Sequence, residues 1–126
     1  RNRVPAGQIS IVENGLRTER LEKQTADLER SLARAERDAA DFDLLANPVR
    51  LQLLDVLVRN EGRVCVCDLE AAVPVKQPTV SHHLRLLRQA GVVQSEKVGI
   101  WAYYRVDREQ LLALRRRVES RLRTTS

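Results

Sequence analysis

The 126-residue chain has no methionine, one phenylalanine, one tryptophan and two tyrosines, so aromatic side chains make up only 3% of it. Such a chain buries modest apolar surface on its own, and pairing with a second copy would add to its stability. A single tryptophan excludes a stacking platform for single-stranded nucleic acid. No apolar run approaches the length needed to span a bilayer, the stretch from Val64 to Val66 being typical. The first residues show no basic start, apolar run and small-residue cleavage site. The expectation is a cytoplasmic protein, away from membranes, with reduced thiols. Only two cysteines occur, one residue apart, a spacing that makes a short and strained structural disulfide. Internal repeats and low-complexity tracts are missing.

Basic residues are plentiful. The net charge is +5, which favours a polyanionic partner without naming one. Its distribution is more informative: residues 1–75 hold 11 basic and 13 acidic side chains, residues 76–126 hold 11 and 4. The surplus therefore lies in the second half.

Residues 1–15 include Pro5, Gly7, Asn14 and Gly15 and have no clear period, so they read as a flexible arm. Residues 16–46 contain neither proline nor glycine. Leu21, Leu28, Leu32, Ala35, Ala39 and Phe42 recur there at three- and four-residue intervals, with Thr25 in the remaining slot, close to a heptad. Glu19 with Lys23 and Asp27 with Arg30 suit pairs along the helix surface. This segment is expected to be a long dimerisation helix. Asn47-Pro48 caps a second helix, whose run from Val49 to Val58 reads as almost entirely buried. A short helix from about Cys65 to Val73 follows. The connection Val73-Pro74-Val75-Lys76 then leads into a helix from Pro78 to Ala90, which is helix-turn-helix spacing. Val92–Lys97 and Ile100–Val106 read as a hairpin around Val98-Gly99. Asp107 caps a last helix, in which Leu111, Leu114, Val118 and Leu122 share a face. The order predicts a mainly α fold with a small β-hairpin: a dimeric winged helix-turn-helix with an extended N-terminal helix. Its DNA-binding core is 47–106, and 107–126 form a C-terminal dimerisation helix.

In the helix from Pro78, Val80, Leu84 and Leu87 fall on one stripe and should face the core. Thr79, Ser81, His82, Arg85 and Arg88 fall opposite, with Gln77 at the start. These groups can bond base edges and phosphates of double-stranded DNA in the major groove. Lys97 at the hairpin tip and Arg105 on the returning strand are expected to grip phosphates. His83 reads as a core histidine making one hydrogen bond, and Trp101, Tyr103 and Tyr104 as hairpin packing.

Two thiolates suit a thiophilic ion such as trivalent arsenic or antimony, mercury, cadmium, lead or zinc. Cys65 and Cys67 read equally well as two small buried hydrophobes. On a regular helix, residues i and i+2 point about 200° apart. A shared ion should then unwind the start of the short helix and tilt the helix that reads DNA, so ion and DNA would oppose each other.

Val64-Cys65-Val66-Cys67-Asp68-Leu69, the run from Gln77 to Val93, Leu45-Ala46-Asn47-Pro48-Val49-Arg50-Leu51 and Tyr103-Tyr104-Arg105-Val106 together resemble the ArsR/SmtB metalloregulators over about residues 42–106. The resemblance implies a homodimeric winged-helix repressor that leaves its operator when an ion binds. The Cys-Val-Cys-Asp-Leu form is most similar to the arsenic-responsive branch, which implies Cys65 and Cys67 as metal ligands and arsenite or antimonite as inducer, with no resident cofactor. Two departures stand out. Glu70 occupies the place of a frequent third cysteine, and the N-terminal arm has no cysteine of the kind cadmium/lead relatives use. Mercury in linear coordination therefore competes, as does arsenic completed by an oxygen ligand or small thiol. Zinc-type relatives place ligands on the last helix; here Asp107 is joined by Glu109, Ser120 and Arg123, so that site is not expected.

Two other functions compete. One is a thiol redox or sulfur-species switch on the same fold, with Cys65 and Cys67 oxidised. The other is a Cys–His hydrolase using Cys65, Cys67, His82 and His83. The sequence shows neither an orienting Asn/Asp arrangement nor an oxyanion loop for it, so no enzyme is expected.

Overall fold

The computed structural model describes residues 11–124. The chain divides into two compact units, Arg1–Arg37 and Asp38–Ser126. Of the expected N-terminal arm, residues 1–10 lie outside the described residues, while Ile11–Gly15 are helical and open α1 (Ile11–Leu45). The first unit is the α1 helix up to Arg37, dense in charge, with Asp27 and Arg30 paired along its surface. Apolar spacing suffices to extend this helix because no proline interrupts it, and single Gly15 costs only about 1 kcal/mol against alanine.

The second unit contains the last turns of α1, then α2 (Pro48–Arg59), β1 (Val64–Cys65), α3 (Val66–Ala71), α4 (Gln77–Gln89), β2 (Val93–Val98), β3 (Trp101–Val106) and α5 (Arg108–Leu122). This is the expected winged helix-turn-helix order, with one addition. The hairpin is widened to a three-stranded antiparallel sheet, ordered β1-β3-β2. The two-residue β1 pairs Val64 with Tyr104 and Cys65 with Tyr103. The hairpin turns at Gly99 and Ile100, between the paired Val98 and Trp101. Gly99 has φ +62°, the positive value a two-residue hairpin loop requires at its first central position.

The core is aliphatic, as the scarcity of aromatics dictates. Leu53, Leu57, Leu69, Val80, Leu84 and Leu87 are fully buried, joined by Val92, Val93 and Leu114. α2 is less buried than its composition suggested: Leu53, Leu54 and Leu57 face the core, but Leu51 is 49% exposed and Val58 36%. The helix packs on α4 and β3, and Leu51 and Val58 lie off that contact.

Asn47 starts α2 as expected, its Oδ1 accepting from the amides of Val49 at 2.9 Å and Arg50 at 3.1 Å. Replacing this cap with Asn47→Ala should cost about 1 kcal/mol of stability. Urea unfolding followed by circular dichroism would read that as a lower midpoint with unchanged slope.

Arg50 joins three elements. Its guanidinium donates to the carbonyls of Leu44 at 2.7 Å and Asp43 at 3.0 Å, closing the end of α1. Its third contact is Nδ1 of buried His83 on α4, at 3.0 Å. His83 is thus the core histidine the sequence suggested. Burial, then the nearby Arg50 and His82, push its pKa below the ordinary value and keep it neutral, able to accept that bond. Asp107 caps α5 through the Gln110 amide. Arg117 then holds Asp41 with two bonds at 2.7 and 3.1 Å, and Arg121 meets Asp38 at 3.5 Å, so α5 is tied to the last turns of α1 in the same chain. Leu111, Leu114 and Val118 join the core, whereas Leu122 is 64% exposed.

Candidate nucleic-acid interface and thiol site

Helical period decides which side chains α4 displays. Val80, His83, Leu84 and Leu87 turn into the core and fix the helix, leaving Gln77, Thr79, Ser81, His82, Arg85 and Arg88 exposed. Arg85 lies 3.1 Å from Nδ1 of His82, and Arg88 donates to Ser95 Oγ on β2 at 3.3 Å. All six groups that the sequence singled out on this helix are therefore open to a ligand. Two of them are held in place by a neighbour.

The wing separates the other two. Side chains alternate along a strand, and directly paired residues share a face. Lys97 pairs with Ala102 and Arg105 with Gln94, which puts Lys97 on the face of Ser95 and Arg105 on the opposite one. Arg105 donates to Gln94 Oε1 at 3.2 Å, and Gln94 donates to Asp107 Oδ2 at 2.8 Å. Arg105 also lines an open depression together with Glu61, Asp107 and Glu109. These acids weaken its attraction for phosphate, whereas Lys97 shares the side that Arg88 reaches. Trp101 departs from the expected packing: it is 52% exposed at the wing tip, beside Ile100 at 89%. Tyr104 does pack on the core.

Cys65 and Cys67 lie where β1 becomes α3. Cys65 is the last residue of β1 and the cap of α3, with extended backbone (φ −65°, ψ 141°), and Cys67 stands in the first helical turn. Their sulfurs are 2.7 Å apart, and both thiols are free. This corrects the sequence expectation of two thiols on opposite sides of a helix. The 200° divergence applies only when both residues are helical, and pairing with Tyr103 holds Cys65 in the strand. No unwinding is needed to bring the sulfurs together. The Cys67 thiol bonds to the Cys65 sulfur, and this bond first, with burial and the charges of Cys65 and Asp68, pushes its pKa above the ordinary value; a backbone contact at Asp68 opposes the shift.

The donor set fits a thiophilic ion of low coordination. Among the described residues no group of three or more His, Cys, Asp and Glu side chains converges on one point, so protein donors here number two. With bonds of about 2.3 Å, a bent S–ion–S unit places the sulfurs about 3.8 Å apart and a linear one about 4.6 Å. The bent span is close to ordinary contact between two nonbonded sulfurs, and the linear one needs about 0.8 Å more.

Arg63 was not anticipated. Its guanidinium lies over the Tyr103 ring, 4.3 Å from the centroid, and meets Glu96 at 3.4 Å. Tyr103 is the strand partner of Cys65, so a cation and an aromatic ring neighbour the thiol site through the sheet. Only the pairing of a two-residue strand reveals this, and no local sequence signal marks it. No helix among the described residues is long and apolar enough to cross a membrane.

Residues 47–95 match the family model described as bacterial regulatory protein, arsR family. The chain is similar to a transcriptional repressor SmtB homolog of Synechocystis, with 41% identity over 92 residues, covering 73% of this chain and 68% of that one. It is also similar to the arsenical resistance operon repressor of Escherichia coli K12, at 42% identity over 65 residues; these cover 52% of this chain and only 55% of that repressor. The crystal structure of a possible transcriptional regulator for arsenical resistance superposes with a TM-score of 0.61 at 33% identity, covering 67% of this chain and 85% of the other.

Proposed function

The chain belongs to the ArsR family of bacterial regulatory proteins, and from that premise we propose a homodimeric repressor that releases its operator when Cys65 and Cys67 capture a thiophilic ion. The family makes it a DNA-binding transcriptional regulator rather than an enzyme. The observation that carries the rest of the reading is the convergence of the two sulfurs, 2.7 Å apart, at the junction of β1 and α3.

Gln77, Thr79, Ser81, His82, Arg85 and Arg88 of α4 read the major groove, and Lys97 meets a phosphate beside it. Arg105 contributes less, because Gln94 engages it and acidic groups surround it. An ion held by both sulfurs ties Cys65 at the end of β1 to Cys67 in the first turn of α3 and so constrains the junction. That junction is bonded to the wing through Tyr103 and packs Leu69 of α3 into the core against which α4 rests. Wing and reading helix therefore both feel the ion. The coupling is reciprocal: DNA weakens ion binding by the factor that ion weakens DNA binding.

Trivalent arsenic or antimony is the favoured inducer, with a water oxygen or small thiol as third donor. The smaller opening that a bent unit requires supports this over linear mercury. The test is an operator mobility shift against arsenite, antimonite, mercury, cadmium and zinc in turn. Release at the lowest concentration by arsenite or antimonite supports the assignment. Earlier release by mercury assigns the site to a linear ion, and no release by any ion removes the sensor.

Ion uptake should depend on pH with a sign set by the ion. A divalent cation such as mercury or cadmium binds thiolates, so each binding event displaces protons; arsenite enters as As(OH)3, whose hydroxides leave as water with the thiol protons, so no net proton is released. Because Cys67 holds its proton above the ordinary thiol pKa, mercury and cadmium affinity should rise with pH through the neutral and mildly alkaline range, while arsenite affinity should stay nearly flat there. Titration monitored by sulfur-to-ion ultraviolet absorption at several pH values checks both slopes; a flat response to mercury and cadmium would mean that no thiol proton leaves.

The sulfur contact also favours a second reading, oxidation of the same pair. Mild oxidant would then release the operator with no ion present and dithiothreitol would restore it, whereas the ion sensor requires the reduced form.

A further inference from the structure

The first unit of the chain carries an apolar row that its own chain leaves open. Leu21, Leu28 and Leu32 of α1 are 57%, 72% and 61% exposed. We infer that this segment pairs with the same segment of a second copy as a parallel, two-stranded coiled coil. The inference rests on the homodimer proposed above and specifies how the N-terminal helices meet.

The row has the repeat such a pair needs. With Leu21, Leu28 and Ala35 at d positions, the a positions hold Thr18, Thr25 and Leu32. β-Branched residues at a with leucine at d favour two strands; Thr18 and Thr25 supply the branching and Leu21 and Leu28 the leucines, while Leu32 and Ala35 depart from the pattern. The threonines do not argue against burial at the seam: the Thr25 hydroxyl donates to the Leu21 carbonyl at 2.9 Å within its own helix, so this hydroxyl enters the seam already bonded.

Charge selects the direction. The e positions beside the seam are Glu22, Glu29 and Glu36, all acidic, and the g positions are Arg17, Gln24 and Ser31. An antiparallel pair brings e rows face to face, carboxylate against carboxylate along the whole seam. A parallel pair sets g against the following e′ instead. Arg17 then faces Glu22 of the second copy, while Gln24 and Ser31 face Glu29 and Glu36 without repulsion. Lys23, Arg30 and Arg37 fall at f, away from the seam. Parallel pairing lets both chains enter their DNA-binding units from the same end under one twofold axis, which suits an operator of two inverted half-sites.

Cysteine cross-linking of the full chain tests this directly. In a Cys65→Ser/Cys67→Ser background, Leu21→Cys and Leu28→Cys are made separately, with Lys23→Cys as outward-facing control. Oxidation should give a covalent dimer on a non-reducing gel at both Leu21→Cys and Leu28→Cys, with little at Lys23→Cys. An antiparallel coil can bring at most one of two positions seven residues apart opposite itself, so cross-linking at only one overturns the direction. Cross-linking at neither, or equally at Lys23→Cys, overturns the coil. Light scattering on the same samples separates the two levels: a dimer without cross-links rejects the coil and leaves the homodimer, and a monomer rejects both.

Discussion

Cys67→Ser should abolish ion-induced release while leaving the operator complex as tight as before, and Cys65→Ser should do the same. Removing groups that only orient a metal ligand already lowers affinity about 10- to 100-fold. Losing one of only two protein ligands should exceed that, so at least about 100-fold more ion is expected for release. DNA affinity should stay near its original value because Cys67 is exposed, Cys65 half-buried, and neither lies on the displayed face of α4. The double measurement is a mobility shift without ion, then with increasing arsenite. Serine variants that still release at the original concentration would remove Cys65 and Cys67 from the site. A variant that loses DNA binding outright would instead make the pair part of the fold's support.

The two cysteines also show where reading the sequence stops. Periodicity located α4, which buries a stripe of Val80, Leu84 and Leu87 that repeats near 3.6 residues, while the six-residue α3, with only Leu69 buried, was legible from its place before Pro74. Caps were equally legible at Asn47 and Asp107, since a side-chain oxygen two or three residues before a free amide is a local event. The two-residue strand β1 was not. Its existence depends on Tyr103 and Tyr104, nearly forty residues further along, and a short Val-Cys-Val run reads equally as the beginning of a helix. That one missing strand reversed the geometry of the thiols, from opposed to facing, and with it the way an ion would act.

The same limit explains the wing. Composition identified a basic hairpin but could not tell its faces apart, because a one-residue difference in register exchanges them. Register puts Lys97 on the side of Ser95 and α4, and turns Arg105 toward Gln94 and Asp107. In the sequence, Trp101, Tyr103 and Tyr104 read as hairpin packing. Yet Trp101 is half-exposed at the tip, where the turn at Gly99 and Ile100 carries the strand end beyond the core.

Arg85→Ala should weaken operator binding about 5- to 150-fold, the span of about 1–3 kcal/mol that a good side-chain bond to a base edge supplies. Arg85 stands at the centre of the exposed face of α4, one residue beyond buried Leu84 and next to His82, which meets its guanidinium at 3.1 Å. The variant should fold normally, since this side chain buries nothing. Its effect should also be selective, larger on the true operator than on unrelated DNA, because bonds to bases carry sequence information. Lys97→Ala offers the contrast. Taking away an ammonium that meets a phosphate should weaken both DNAs alike and lower the salt slope by about one counterion. Fluorescence anisotropy with operator and scrambled duplexes at several salt concentrations separates the two patterns. Uniform weakening by Arg85→Ala would move it to the backbone, and unchanged affinity would take it off the interface. In either case the reading of sequence would pass to Gln77, Thr79, Ser81, His82 and Arg88, the other groups of the same helix that the sequence singled out and the fold leaves exposed.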